Sequence, residues 1–482
     1  MQRLRLIQNL LGLFLLLYSL TLLPPLLVSL LYDDHEAGPF LLSLAITVSL
    51  GALMWWPVRT FRREMKTRDG FIVVGLFWLS LGLLSSLPFH FGSHMDMSNA
   101  VFEAVSAFTT TGATVLTGLD HMPPSILFYR QQLQWLGGMG VIVLTVAILP
   151  MLGVGGMQLY RAETPGPFKD EKIAPRIAHA ARSFWMIYSA LTLVCALAYW
   201  LAGMSLFDAI AHSLSTISTG GFSTHDASLA WFDSPLIEGI AIVFMLLGGI
   251  NFSIHFIALI QRQPGAYLRD IEVRTYMVYV LLATLLIAGE LFRTHYHDDF
   301  GTALRYSLFQ TTSVITSTGF VTEDFSHWPD FVPVLLFMLS FVGGCGGSTA
   351  GGMKVIRFII MLKQSPRLIL QLIHPVLVRP LKLGNRVVPV RVVEAVWGYF
   401  SLYVATFVVI MLALMATGLD QVTAFSAVAS SMNNLGPGLG EVAANFQGIS
   451  DTAKWLLALA MLMGRLEIFT VLVLLTPAFW RK

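Results

Sequence analysis

Long runs of apolar residues alternate with short polar segments along most of the chain. An α-helix needs about twenty apolar residues to cross the hydrocarbon core of a bilayer, and ten runs come close to that length. They cover approximately residues 10–31, 40–57, 71–91, 129–152, 184–204, 236–260, 275–292, 332–360, 392–417 and 453–479. The pattern therefore predicts an all-α polytopic membrane protein with about ten transmembrane helices.

The composition supports this fold class. Of the 482 residues, 55% are hydrophobic and only 12% are charged. The first apolar run has no small-residue cleavage site and leads directly into a second run, so we interpret it as a retained helix rather than a signal peptide. Cys195 and Cys345 lie in apolar or glycine-rich segments, and no disulfide framework is expected.

Most of the 30 Lys and Arg residues lie at alternate ends of the predicted spans. They occupy segments 3–5, 59–68, 161–182, 262–274, 354–391 and 481–482. The opposite loops, such as "DDHEAG" and "VTEDFSHWPD", are acidic or neutral. The positive-inside rule places the basic segments, and with them both termini, in the cytoplasm. Membrane lipid is an expected partner of this chain and nucleic acid is not.

Four short semi-apolar segments, each followed by a polar glycine motif, lie between predicted spans. They read "FEAVSAFTTTGA" (102–113), "IAHSLSTISTGGF" (210–222), "FQTTSVITSTGF" (309–320) and "FSAVASSMNNLGPG" (425–438). Repeats of roughly one hundred residues are a recurring feature of membrane transport proteins. We therefore expect four units of helix, short re-entrant helix, loop and helix. The expected units are residues 70–160, 161–262, 263–366 and 367–482, preceded by an extra helix pair in residues 1–69.

The glycine motifs suggest an ion site, because lipid cannot satisfy a non-helical backbone unless it is buried in protein or lines water. Four loops that converge on one axis can present backbone carbonyl groups in place of the water shell of a monovalent cation. Glycine adopts positive φ without penalty. A single motif of this kind more often marks a helix kink or a packing notch, so the prediction depends on the repetition. The predicted cation-binding residues are Thr110, Thr111, Gly112, Ser218, Thr219, Gly220, Ser317, Thr318, Gly319, Asn434, Leu435 and Gly436.

These loops make the sequence resemble the Trk/Ktr/HKT superfamily of potassium transporters over about residues 70–480, most closely its bacterial TrkH/TrkG branch. Other matching motifs are "QWLGGMGVIVL" (134–144), "LLGGINFSIHF" (246–256), "FVGGCGGSTAGGMKVIR" (341–357) and "MGRLEIFTVLVLL" (463–475). The resemblance implies one chain folded around a central pseudo-fourfold pore in a bacterial inner membrane, with a periplasmic selectivity filter. Potassium-selective members carry glycine at the key filter position of every repeat, so Gly112 favours K⁺ as the transported ion. The fourth loop, "NNLGPG", departs from the Thr-Gly pattern, which makes the fourfold symmetry approximate.

A second glycine-rich stretch, "FVGGCGGSTAGGMK", interrupts the 332–360 run. Each glycine would destabilise a helix by roughly 1 kcal/mol relative to alanine, so the helix is expected to break here. Close helix packing through small residues is the alternative. The resemblance implies a gating loop that obstructs the pore below the filter. The predicted gate residues in this loop are Gly343, Gly344, Gly346, Gly347, Ser348, Thr349, Gly351 and Gly352.

Arg465 lies inside the last predicted span, where a charge costs about 2.5–3.5 kcal/mol on insertion scales. Glu467 is on a different helix face and is not an obvious local partner. The resemblance implies an arginine that projects into the pore near the gating loop. We predict that Arg465 is an electrostatic barrier or latch, with pairing to a buried Glu as the alternative. Lys354 is expected to snorkel to the cytoplasmic surface.

Several other polar residues are weaker candidates. Asp208 and Asp420 are expected to cap the pore helices, in which Glu103 and His212 also lie. A role in cation attraction for Asp33, Asp34, Asp298 and Asp299, or in proton coupling for His255 and Glu290, rests on position alone.

The remaining alternatives concern the class of function. The chain has none of the metalloprotease, phosphate-binding or nucleophile-elbow motifs of common enzymes, so it is not expected to be an enzyme or to hold an organic cofactor. A proton- or sodium-coupled potassium symporter is the alternative to a gated channel. The resemblance also implies a homodimer and a separate cytosolic regulatory subunit of the TrkA type that binds NAD(H) or ATP.

Overall fold

A computed structural model describes residues 2–61, 66–143, 173–329, 331–375, 380–384 and 386–481. The unit boundary predicted between residues 160 and 161, the far end of the 129–152 run and the basic residues of 62–65 and 161–172 lie outside these described residues.

The extra N-terminal pair consists of α1 (Gln2–Ser19) and α2 (Leu23–Tyr32), separated by one 3₁₀ turn, and α3 (Ala37–Trp55). Helix α1 crosses α3 at Gly12, where an added Cβ would lie 2.6 Å from the backbone nitrogen of Trp55. This approach requires a residue without a side chain, as is common where membrane helices cross closely. The hydroxyls of Tyr18 and Tyr129, 2.8 Å apart, join the pair to the first of the four predicted units.

The described elements are grouped here by the four predicted units, although the first helix of the first unit begins at Thr67 rather than residue 70, and the helix Val355–Ile373 crosses the predicted boundary between residues 366 and 367. The first contains α4 (Thr67–Leu84), α5 (Leu87–Phe91), α6 (Met97–Phe108) and α7 (Pro124–Val143). The second contains α8 (Ile173–Leu201), α9 (Leu206–Ile217), α10 (Pro235–Gly248) and α11 (Phe252–His255), continued by the π-helical turn Phe256–Ile260. The third contains α12 (Ala266–Arg269), α13 (Ile271–Arg293), α14 (Phe300–Ile315), α15 (Val332–Val342) and α16 (Val355–Ile373). The fourth contains β1 (Lys382–Leu383), β2 (Arg386–Val387), α17 (Val390–Ala416), α18 (Gln421–Asn433), α19 (Asp451–Arg465), α20 (Ile468–Leu475) and α21 (Pro477–Trp480).

The all-α prediction is confirmed apart from one short hairpin, in which β1 and β2 pair antiparallel with Lys382 opposite Val387. Among the described residues, six helices are long and apolar enough to cross a membrane. Two further spans are broken: α10 and the helix after it meet at 98°, and α19 and α20 meet at 113°. Of the other two predicted spans, α15 has only 11 residues and α7 ends where the described residues end.

Burial in this molecule is inverted relative to a soluble protein. Helix α17 exposes apolar side chains such as Val404, Val409 and Leu412. The C-terminal halves of the short helices α6, α9, α14 and α18 are almost entirely buried, although these helices contain several Ser and Thr residues. Long apolar helices therefore surround four short polar ones, because polar backbone and side-chain groups at membrane depth need partners within the protein.

Candidate functional site

Three of the four short helices, α9, α14 and α18, begin with a side-chain cap that fixes the N-terminus, whereas Asp96 at the start of α6 makes no such bond. The Asp299 carboxylate accepts a hydrogen bond from the Thr302 N–H at 2.9 Å, and the Asp420 carboxylate accepts one from the Val422 N–H at 2.8 Å. Such caps satisfy otherwise unpaired N–H groups. The capping role predicted for Asp420 is confirmed. The one predicted for Asp208 is wrong, because Ser205 is the cap and accepts from the Asp208 N–H at 3.0 Å.

Each short helix ends in a loop of the same design. We call these loops L1 (109–113), L2 (218–222), L3 (316–320) and L4 (433–437). In each loop one N–H donates at 2.8 Å to the carbonyl oxygen of a serine five residues earlier. The four bonds join Thr111 to Ser106, Gly220 to Ser215, Thr318 to Ser313 and Leu435 to Ser430.

These bonds define which residues are equivalent, and they correct the predicted alignment of L2. The residue after each donor has positive φ, with values of 83° at Gly112, 77° at Gly221, 82° at Gly319 and 104° at Gly436. Gly220, which the sequence alignment matched to these glycines, instead corresponds to Thr111. The prediction slipped by one residue because L2 contains two adjacent glycines, and only the helix end shows which of them has positive φ.

The four loops contact one another in a closed ring. A Cβ added to each positive-φ glycine would overlap a carbonyl oxygen of the next loop. On Gly112 it would lie 2.2 Å from the Gly220 oxygen, and on Gly221 it would lie 1.8 Å from the Thr318 oxygen. On Gly319 it would lie 2.0 Å from the Leu435 oxygen, and on Gly436 it would lie 2.8 Å from the Thr111 oxygen. Each glycine thus packs against the carbonyl group of the next loop. Four main chains, separated by long stretches of sequence, meet in one closed cycle.

The predicted break of the glycine-rich stretch is present. Residues 343–354, which we call the glycine loop, are non-helical between α15 and α16, and Gly343, Gly347 and Gly352 have positive φ. The span in the second unit breaks between α10 and α11, and that in the fourth between α19 and α20. Local composition predicts only the first of these three breaks.

The glycine loop lies directly against the ends of the short helices. The Thr349 hydroxyl lies 3.1 Å from the Ile217 carbonyl oxygen, 3.0 Å from that of Gly248 and 3.2 Å from the Thr219 hydroxyl. An added Cβ on Gly351 would lie 1.9 Å from the Asn433 carbonyl oxygen. Because the loop contacts both L2 and L4, it lies next to the ring rather than in a distant packing interface.

Arg465 joins the end of α19 to this loop. Its side chain is 5% exposed, and its Nη1 donates to the Thr349 carbonyl oxygen at 2.8 Å. Within the described part of the chain, no carboxylate lies within ion-pair distance of Arg465, and its Nε and Nη2 have no hydrogen-bond partner. The alternative of pairing to a buried Glu is therefore not observed. Glu467 instead accepts from Arg357 at 2.8 Å.

Lys354 differs from its prediction. Its ammonium group does not snorkel outward but turns back and donates to the Ala350 carbonyl oxygen inside the glycine loop. Lys354 also has a φ of 77°, which is uncommon for a residue with a side chain. Two cationic side chains, Lys354 and Arg465, therefore donate to adjacent carbonyl groups of this loop.

Comparisons with known proteins agree with this arrangement. The family model described as "TrkH: Cation transport protein" matches residues 38–482. The chain belongs to the TrkH family of cation transport proteins. It is 53% identical over 482 residues to the Trk system potassium uptake protein TrkH of Vibrio parahaemolyticus, and 40% identical over 480 residues to TrkG of Escherichia coli, with 99% of each chain covered. The crystal structure of the potassium transporter TrkH from Vibrio parahaemolyticus matches with a TM-score of 0.93 at 50% identity, over 99% of both chains.

Two buried groups support the ring in this TrkH-family chain although the sequence pattern does not single them out for that role. Gln134 of α7 donates to the Gly220 carbonyl oxygen at 2.6 Å and accepts from the Ser215 hydroxyl at 2.7 Å. Glu103 and Arg130 form an ion pair of 2.8 Å, with exposures of 0% and 1%. The motif "QWLGGMGVIVL" begins at Gln134, but nothing in its spacing shows that the amide reaches L2.

The pair Glu103–Arg130 connects the chain just beyond L1 to the end of L2. Glu103 accepts from the Val115 N–H at 2.9 Å, and Arg130 donates to the Ser223 carbonyl oxygen at 3.2 Å and lies over the Phe222 ring. A buried ion pair requires this additional hydrogen bonding to offset the loss of water. Glu103 therefore supports the chain just beyond L1.

Asn434 of L4 also contributes through its side chain. Its amide donates to the Thr111 hydroxyl at 2.9 Å and to the Met461 carbonyl oxygen at 3.1 Å. L4 thus attaches to both L1 and α19. The departure of "NNLGPG" from the Thr-Gly pattern consequently adds a side-chain hydrogen bond between L4 and L1.

The remaining candidates lie away from the ring. His255 is buried between the Tyr267 hydroxyl and the Leu247 carbonyl oxygen. Glu290 pairs with the exposed Arg293, and Asp34 accepts hydrogen bonds from Ser29 and Ser125. Asp33 and Asp298 are exposed. His212 lies 2.9 Å from the Ser223 hydroxyl, beside the chain that leaves L2.

Proposed function

We propose that this chain takes up potassium across the inner membrane of a bacterium, through a filter formed by L1 to L4. The backbone carbonyl groups of these loops would replace the water shell of a dehydrated K⁺. The proposed filter residues are those predicted from the sequence, with Gly221 added. Gly221 takes the glycine position of L2, and Gly220 takes the position of Thr111 and contributes its carbonyl group to the ring.

The closed ring of glycine and carbonyl contacts is the observation that carries this proposal. A notch for helix packing needs two helices, whereas here four loops from four repeats meet in one cycle. The relatives named potassium uptake proteins are similar to this chain over 99% of its length, which favours potassium among monovalent cations.

We further propose that the glycine loop and Arg465 close the pore next to the filter. The loop contacts the ring through Thr349 and Gly351, and the Arg465 guanidinium would repel a cation at that point. We also propose that both termini lie in the cytoplasm, because the basic segments 3–5 and 481–482 follow the positive-inside rule. A cytosolic nucleotide-binding subunit of the TrkA type, and a second copy of the chain, complete the proposed assembly.

Current through the purified protein in a planar bilayer, under opposed K⁺ and Na⁺ gradients, tests the proposal. A reversal potential near the potassium equilibrium value, unchanged by pH, is expected for a gated pore. A reversal potential that follows the proton or sodium gradient would instead identify a coupled symporter.

Gly112→Ser tests the filter assignment separately. The added side chain would meet the Gly220 carbonyl group, so we expect reduced discrimination between K⁺ and Na⁺. The reversal potential of this variant under K⁺ on one side and Na⁺ on the other measures the effect. Unchanged discrimination would contradict the assignment of L1 to the filter.

A further inference from the structure

The glycine loop is fastened at both ends by one buried carboxylate, that of Glu272. Its Oε1 accepts from the Gly346 N–H at 2.7 Å, at the start of the loop, and from the Ile356 N–H at 3.1 Å, just beyond its end. Glu272 is 4% exposed. A single oxygen atom on α13 therefore joins the entering and leaving strands of the loop.

The placement of Glu272 follows from the start of α13. The Asp270 carboxylate accepts from the Val273 N–H at 2.9 Å and so fixes the first turn of the helix. An acidic residue in a first turn usually does no more than favour the helix dipole. Glu272 does more, since a buried carboxylate that accepts two N–H bonds holds their donors strongly.

The segment leading into α13 also holds the surface on which the glycine loop rests. In α12, the Tyr267 hydroxyl is hydrogen-bonded to His255 at 2.7 Å, and His255 reaches the Leu247 carbonyl oxygen at 2.9 Å. Cys345 donates to the Gly249 carbonyl oxygen at 2.9 Å, and Gly347 accepts from the Phe252 N–H at 3.1 Å. Residues 266–272 thus contact both the glycine loop and the break between α10 and α11, on which the loop packs.

We propose that Glu272 is a positioning residue that holds the glycine loop in the closed position and transmits movement of the basic segment 262–274 to it. This inference rests on the gating role proposed above for the loop. Loss of the carboxylate would remove a hydrogen bond near each end of the loop at once, so that only backbone bonds such as that from the Val355 N–H to the Gly344 carbonyl oxygen still hold these ends. It would not affect L1 to L4 directly, since no contact of Glu272 reaches them in the described residues. The loop would then open without the regulatory partner.

Potassium flux into proteoliposomes that contain the chain alone tests this role. Glu272→Ala removes the acceptor, Glu272→Asp shortens the side chain so that it cannot span both donors, and Glu272→Gln keeps an Oε1 acceptor. Glu238→Ala is the matched control, because Glu238 is equally buried but pairs with Arg305, away from the loop. Thermal unfolding of each variant shows whether it is folded.

We expect flux to rise roughly tenfold in Glu272→Ala and Glu272→Asp, since losing two buried hydrogen bonds shifts a two-state equilibrium by about that factor. Glu272→Gln should stay near the wild-type flux, and Glu238→Ala should show no rise. A merely structural role would lower flux, so the direction of the change is decisive. If Glu272→Ala does not fold, the comparison of Asp with Gln decides instead.

Wild-type flux in folded Glu272→Ala or Glu272→Asp, or a fall in both, would overturn the proposal. The proposal would also be overturned if the wild-type chain, without its partner, already shows the same potassium flux as a variant in which residues 343–352 are shortened. Absence of potassium flux in the shortened variant and in the wild type with its partner would instead refute the proposed function itself.

Discussion

Glycines with positive φ in this molecule differ in whether a side chain would fit. Gly118 and Gly221 both have positive φ, at 73° and 77°, but nothing lies within 4 Å of a Cβ on Gly118, whereas one on Gly221 would overlap the Thr318 carbonyl group. Left-handed backbone alone costs a residue with a side chain about 1–2 kcal/mol. Substitution at Gly118 therefore measures the cost of backbone strain alone, whereas substitution at Gly221 also disturbs the contact between L2 and L3.

Gly221→Ala should abolish potassium selectivity, because L2 and L3 would have to move apart. Gly118→Ala should lower stability by about 1–2 kcal/mol and leave selectivity intact. Reversal potentials between K⁺ and Na⁺ solutions, with thermal unfolding of both variants, measure these effects. If Gly221→Ala stayed selective while Gly220→Ala did not, the register found in the structure would be incorrect.

The buried pair Glu103–Arg130 is also best tested at single residues. Arg130→Met would leave the Glu103 carboxylate buried without a cation, and breaking a buried pair in this way costs about 3–5 kcal/mol. We expect a large drop in the thermal midpoint in detergent. Arg293→Met, which breaks the exposed pair with Glu290, should change the midpoint little. Equal midpoints for the two variants would show that the buried pair does not support L1 and L2.

At the scale of elements, the broken spans explain how the glycine loop can reach the ring. Straight helices would leave all backbone groups paired within each span, whereas the break after α10 frees the carbonyl groups of Gly248 and Gly249 to accept from the loop. The break after α19 places Arg465 at a helix end, where it meets Thr349. Three breaks in neighbouring units thus form one network of hydrogen bonds.

Thr349→Val should weaken this network while keeping the shape of the side chain. It removes the hydroxyl that bonds to Ile217 and Gly248, so we expect higher flux through the chain without its partner. Ser348→Ala is the control, because the Ser348 hydroxyl bonds to Cys345 within the loop itself. Flux assays in proteoliposomes should separate the two variants. Equal flux in both would show that docking of the loop onto the second unit does not limit opening.

At the scale of the whole molecule, the first two units are joined outside the ring by His225. Its Nδ1 lies 2.6 Å from Asp120, and its Nε2 lies 3.5 Å from Asp208. Burial lowers the pKa of His225, but its contacts with Asp208 and Asp120 outweigh burial and raise the pKa above the usual value. The charged form is therefore the one that the folded state stabilises.

The contribution of His225 to stability should depend on pH with a defined sign. A raised pKa means that the stabilisation is complete below the unfolded-state pKa of about 6.5 and is lost as the pH rises through the folded-state pKa. The thermal midpoint should therefore fall more between pH 6 and pH 9 for the wild type than for His225→Gln. Parallel pH profiles for the two proteins would contradict this prediction.

Much of this architecture follows from the sequence by itself. Local composition decides whether a segment can lie in lipid as a helix. It therefore predicts the apolar runs, the four repeats, the break at 343–354 and the unusual position of Arg465 within a span. The structure and the family match confirm a polytopic helical protein of the TrkH family.

The tertiary structure decided what depends on contacts between distant segments. Gly221 rather than Gly220 faces the next loop because of where α9 ends, and Arg465 meets a carbonyl group of the glycine loop rather than a carboxylate. Glu272 serves two points of a loop more than seventy residues away in sequence. No local pattern encodes such pairings, because a hydrogen bond depends on the distance between two atoms in space and not on their separation along the chain.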